Sequence, residues 1–185
     1  MKKPLVVTLI FVLALTICAC NTNNPNSPEA LLAFDERAWN DYIKIETIYD
    51  NLLLAVQTYC NGDISEEDYR NQLTKLDKDF QNVLNSLDYA ETEEELCYLE
   101  AIQDSATYYQ STTQGFINYL NSSDKADLLV ATKSMHLGIN NLSVISLEKE
   151  ALLAKTGLSD EEMRKKINND INVLPPKHAL TCFIL

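Results

Sequence analysis

LLAFDERAWNDYIKIETIYDNLLLAVQTY, residues 31–59, decides the fold. Leu31, Phe34, Ala38, Tyr42, Ile45, Tyr49, Leu52, Val56 and Tyr59 follow one another at steps of three or four residues. That spacing places them in one continuous stripe on a helix of 3.6 residues per turn. Asp35, Glu36, Lys44, Glu46 and Asp50 fall on its other faces. Ser27 stands where an N-cap belongs, with Pro28 at the first helical position and Glu29 behind it. Gly62, after Cys60 and Asn61, supplies the stop.

Working outward from this helix, the same period recurs three times. A second helix opens at Ser65, with Asp68 three places on and Ile64 positioned to staple against Tyr69. Its stripe is Tyr69, Leu73, Leu76, Phe80, Val83 and Leu87. A third opens at Thr92 with Glu95 in a capping box, and carries Leu96, Leu99, Ile102, Ala106, Tyr109, Thr113, Phe116 and Leu120. A fourth is expected from Ser122 or Ser123 to Lys155, with Leu128, Ala131, Met135, Ile139, Leu142, Ile145 and Leu152 inward and Gly157 as its end. Ser159 and Glu162 form another capping box, opening a short fifth helix that fades before Pro175-Pro176. The tail HALTCFIL, residues 178–185, is apolar and expected to dock on the bundle. No alternating strand pattern competes. Four long amphipathic helices joined by short turns predict an all-α fold, an antiparallel up-down-up-down four-helix bundle with a short fifth C-terminal helix and the apolar tail. A three-helix core with the last helix elsewhere is the structural rival.

Ahead of the helices the chain has a different character. Lys2 and Lys3 precede an apolar run from Leu5 to Ala19, broken only by Thr8 and Thr16. A membrane span needs about 20 apolar residues; the run suits the apolar region of an export signal better. An uncleaved N-terminal anchor is the alternative. Ile17-Cys18-Ala19-Cys20 resembles a bacterial lipobox, which has a branched apolar residue three places before the modified cysteine and a small one directly before it. Ile17 and Ala19 fit that pattern with Cys20 as acceptor. With Cys18 as acceptor, the preceding residue would be the bulky Ile17. The resemblance covers residues 1–20 only. It implies a signal peptide over 1–19, diacylglyceryl (palmitate-type) modification of Cys20, and retention on the extracytoplasmic face of a bacterial cell membrane. The chain then divides into the signal at 1–19, the lipidated cysteine and polar tether at 20–26, and the helical domain at 27–185.

Composition narrows the partners. Loss of Lys2 and Lys3 takes the 15 basic residues to 13 against 27 acidic ones, and the net charge from −12 to −14. So acidic a chain is unsuited by charge to nucleic acid or anionic headgroups. Acyl chains would hold it at the membrane. The length after residue 19 suits one domain with one core.

Motifs for chemistry are sparse. Neither His136 nor His178 has a glutamate three places before it, as a di-iron bundle requires. No C-x-x-C-H, H-E-x-x-H, G-x-S-x-G or EF-hand loop occurs. The acidic clusters at 66–68, 93–95 and 160–162 each open a helix, where the helix dipole favours them. Met135-His136 is the one pair that could ligate haem, and it reads better as a core methionine beside a partly exposed histidine. Cys182-Phe183-Ile184-Leu185 matches a prenylation box, but that modification is cytosolic and does not suit an exported chain. A Cys60–Cys97 disulfide is disfavoured, because the second helix separates those ends by ~35 Å and a disulfide needs Cα atoms within ~7 Å. Cys97–Cys182 is the more plausible pair. The alternative is that Cys60, Cys97 and Cys182 are all small buried or half-buried thiols.

Tyrosine is the one excess, nine in all. Tyr42, Tyr49, Tyr59, Tyr69 and Tyr109 fall on the stripes, and buried phenols need hydrogen-bond partners. The expectation is therefore a non-enzymatic, membrane-anchored extracytoplasmic lipoprotein, a binding or interaction module of the cell envelope that uses no cofactor or metal and meets an unknown protein or small ligand. The alternative is a small-ligand-sensing or solute-binding bundle with a tyrosine-lined pocket among Tyr109, Thr113 and Met135. A redox or metal-binding bundle using His136 ranks third.

Overall fold

The computed structural model describes residues 24–175. The expected signal peptide, the expected lipidation site Cys20, the first part of the expected tether, Cys182 and the tail 178–185 lie outside the described residues.

Six helices follow in order: α1 (Pro28–Cys60), α2 (Glu66–Leu84), α3 (Glu93–Ser122), α4 (Lys125–Asn140), α5 (Leu142–Ala154) and α6 (Asp160–Asn172). There is no strand among the described residues. The starts are chemically marked. The Ala30 amide donates to Ser27 Oγ at 3.2 Å and the Asp68 amide to Ser65 Oγ at 3.1 Å. Thr92/Glu95 and Ser159/Glu162 close complete capping boxes, and Asp124 accepts from the Ala126 amide at 2.9 Å. Each bond satisfies an amide that the first turn would leave without a partner. Gly62 and Gly157 both take φ of 78°, the left-handed geometry that ends a helix at least cost in glycine.

α3 is the centre of the bundle and packs against α1, α2, α4 and α5, while α1 also touches α2 and α5. The core between them is apolar and aromatic: Leu31, Phe34, Ile45, Leu52, Leu73, Phe80, Leu99, Ile102, Ile145 and Leu152 are all buried. α4 approaches α3 closely because small residues line the seam. A Cβ on Gly115 would lie 2.9 Å from the Ala131 Cβ, and one on Gly138 would lie 2.3 Å from Tyr109 Cε1. α6 packs on α5 and contributes a single buried apolar side chain, Met163.

Four expectations need correction. The fourth helix is two helices, which start at Lys125 and part at Asn141. Asn141 Nδ2 donates to the Ala101 carbonyl at 2.6 Å and to Ser105 Oγ at 3.0 Å. This anchors the junction to α3, next to a glycine that weakens the helix from within. Leu96, expected in the third stripe, is 49 % exposed, and Tyr98 takes the buried place. The buried face of that turn is set by Glu95, Tyr98, Leu99 and Ile102, one residue round from the expected line. Asp35 and Glu46, placed off the apolar stripe, are nevertheless both buried, because distant partners meet them inside the bundle.

Candidate functional site

Two polar clusters sit inside the core, and one apolar face lies outside it. The first cluster surrounds Glu46 on α1. Its Oε1 accepts from Tyr42 Oη at 2.7 Å and from Tyr109 Oη at 2.9 Å. Tyr49 stacks on Tyr109 with centroids 3.9 Å apart and planes 8° from parallel. Burial first, and then the Glu46 charge, push the phenols of Tyr42, Tyr49 and Tyr109 far above their ordinary range. Their protons stay on the rings, so these groups are hydrogen-bond donors to Glu46 or packing surface.

Two of the proposed ligand-lining residues, Tyr109 and Thr113, lie here on α3, and neither borders an opening. Tyr109 and Thr113 are fully buried, and Thr113 Oγ1 donates to the Tyr109 carbonyl at 3.0 Å. Met135 is buried on α4, one turn before Gly138, where an added Cβ would lie 2.3 Å from Tyr109 Cε1. His136 points outward from the same turn. The Tyr42 and Tyr109 hydroxyls are satisfied within the core by Glu46, and none of the three residues borders the open clefts that line the surface along α1, between α1 and α2 or between α5 and α6.

The second cluster joins α1, α5 and α6. Lys149 Nζ lies 2.5 Å from Asp35 Oδ1 and 2.9 Å from Asp170 Oδ2. Lys166 Nζ reaches Asp35 Oδ2 at 2.9 Å and Asp170 Oδ2 at 3.7 Å. Two cations and two anions balance. The Lys149 ammonium also sits 4.5 Å from the Trp39 ring centroid and 3.5 Å from Tyr98 Oη. Burial, followed by the Asp35 and Asp170 charges, pushes the Tyr98 phenol up as well. Nothing in the local pattern around residue 35 signals this site. A lysine on the buried side of the α5 helix was the only available hint.

The outer face runs along α4 and α5. Leu129, Val130, Leu137, Val144 and Leu147 are large, apolar and exposed, Leu129 at 71 % and Leu147 at 63 %. Ala126, Val130, Lys133, Leu137, Asn140, Val144, Leu147 and Ala151 follow at alternating steps of four and three, all exposed. These helices therefore carry two stripes, one inward and one outward. Among the described residues, no helix is long and apolar enough to cross a membrane.

Cys97 lies exposed in the second turn of α3, and partial desolvation together with the carboxylates of Glu148, Glu100, Glu93 and Glu94 raises its thiol above the usual range. Its suggested partner Cys182 is outside the described residues. No protein-family model matches the chain, and neither a curated protein nor a solved structure matches it significantly.

Proposed function

We propose that the chain is a non-enzymatic, lipid-anchored extracytoplasmic lipoprotein of a bacterial cell envelope that works as an interaction module. Its long helical spans, α1, α2, α3 and the α4–α5 pair, form an antiparallel up-down-up-down bundle, with α6 as the short fifth helix. Short turns between successive spans and the packing of each span on the next support this arrangement. The lipid on Cys20 holds the domain at the membrane through a tether that reaches only ~20 Å when fully extended.

One observation carries the functional reading: the tyrosine cluster around Glu46 is closed by its own hydrogen bonds, while the outer side of α4–α5 presents a mostly apolar row to solvent, interrupted by Lys133 and Asn140. Exposed apolar area organised along one helix face is a mark of protein contact. The rival reading, a ligand pocket among Tyr109, Thr113 and Met135, would require opening satisfied hydrogen bonds and a stacked ring pair.

The test has two arms. Cys20→Ala should abolish labelling by a clickable fatty acid, whereas Cys18→Ala should not; the reverse pattern would overturn the anchor. A photo-cross-linking residue at Leu137 or Val144 of the chain in cells should give protein adducts that the same probe at Asn71, exposed on α2, does not. Equal yields at both faces would remove the assignment of α4–α5 as the contact surface.

A further inference from the structure

The outward row on α4–α5 has the spacing of a coiled-coil seam. Val130, Leu137, Val144 and Ala151 recur every seven residues, and Ala126, Lys133, Asn140 and Leu147 fill the places between them. A two-helix seam wants this alternation of three and four. The row is not uniformly apolar. Lys133 sits at one seam position in α4 and Asn140 at another near the junction, while Glu148 flanks the seam in α5. Polar seam residues of this kind fix register and orientation at some cost in stability.

The charges choose the orientation. A parallel pair of identical seams would set Lys133 against Lys133 and Glu148 against Glu148. An antiparallel pair, with its two-fold axis near Asn140, sets Lys133 of each copy level with the Val144–Glu148 turn of the other. The same operation lays Leu137 beside the partner's Asn140–Val144 turn and Val130 beside the Leu147–Ala151 turn. The two Asn140 side chains then come near the axis, where one amide can donate to the other. The face is thus complementary to itself in both shape period and charge, as a two-fold interface must be.

We infer that the α4–α5 face binds a second copy of this chain, antiparallel, about a two-fold axis near Asn140. The inference rests on the reading of that face as an interaction surface. It adds the identity of the partner and the direction of pairing.

The full chain in detergent, carrying a photo-cross-linking residue at Leu137, provides the test. The expected product has twice the chain mass, and peptide mapping should place the second end of the link within residues 140–144. Lys133→Glu should lower the yield about tenfold, the loss expected for one close charge pair at an interface. Lys133→Glu combined with Glu148→Lys should restore it. Lys133 is exposed and Glu148 half-buried beside the seam, and circular dichroism should show an unchanged fold. A self-adduct mapping to residues 130–137 would mean parallel pairing and overturn the inference, as would a yield indifferent to Lys133→Glu. Adducts from cells that contain only another protein would overturn self-pairing and leave the contact face standing. No adduct of either kind would remove both.

Discussion

Replacing Lys149 by methionine keeps most of the side-chain volume and deletes one buried cation. Lys149 is fully buried, and so is its main partner Asp35. In the variant, two carboxylates, Asp35 and Asp170, face one ammonium, Lys166, which is itself partly exposed. Removing one member of a buried pair costs about 3–5 kcal/mol, because the remaining charge loses its compensation. The surviving Lys166 contact at 2.9 Å holds part of that, so the lower end, ~3 kcal/mol, is expected. With a urea slope of ~2 kcal/mol per molar for a domain of this size, the midpoint should fall by ~1.5 M. Urea titration followed by far-ultraviolet circular dichroism measures it. The double variant Asp35→Leu/Lys149→Met removes both charges of the tightest pair and leaves Asp170 with Lys166. It should lie within ~1 kcal/mol of the parent protein, since apolar replacement of a whole buried pair is often neutral or better. The coupling between the two sites should then exceed ~1 kcal/mol. If Lys149→Met shifts the midpoint by less than ~0.5 M, which is ~1 kcal/mol at that slope, or if the double variant is no better than the single, the cluster is not the buried network described.

Three further outcomes follow from the same contacts. Gly138→Ala drives a methyl into the Tyr109 ring, which Tyr49 backs from its other face, and should destabilise by at least 1–3 kcal/mol, about the cost of overpacking a core; thermal unfolding reads it. Tyr42, Tyr49, Tyr98 and Tyr109 hold their protons more tightly folded than unfolded. They therefore leave stability unchanged below the ordinary tyrosine value of about 10, and above it stability falls by about 1.4 kcal/mol per pH unit for each phenol, because the unfolded chain loses those protons first. The protein should unfold cooperatively in strong alkali, with these tyrosinates forming together as helix is lost; gradual ionisation of all tyrosines in a folded protein would contradict this. Cys97, with a raised thiol and four carboxylates around it, should alkylate more slowly at mildly alkaline pH than an unhindered cysteine peptide, by peptide-resolved mass spectrometry.

The helix starts were legible because caps are local chemistry. Ser27, Ser65, Thr92 and Ser159 each act within three residues, and all four cap as read. What escaped was set by partners far along the chain. Asp35 meets a lysine 114 residues away and Glu46 a tyrosine 63 residues away, so each looked like an ordinary charge on an outer face. Gly138 and Asn141 were visible in the fourth pattern, but the tertiary bond from Asn141 to α3 decides that the helix breaks there. The outward seam was present in the same stretch of letters. It was hidden because Ala131, Met135 and Ile145 supply a complete inward stripe, and one stripe suffices to explain a helix of a bundle.

Trp39 is the chain's single tryptophan. It is buried on α1, with the Lys149 ammonium over its ring and Tyr42 at 5.3 Å. All indole emission from this protein therefore originates at the joint where α1, α5 and α6 meet. A nearby positive charge shifts and quenches that emission, so loosening α6 should change the fluorescence before the bulk of the helix melts. The molecule thus carries its own gauge for the one helix that is fastened more by charge than by apolar burial.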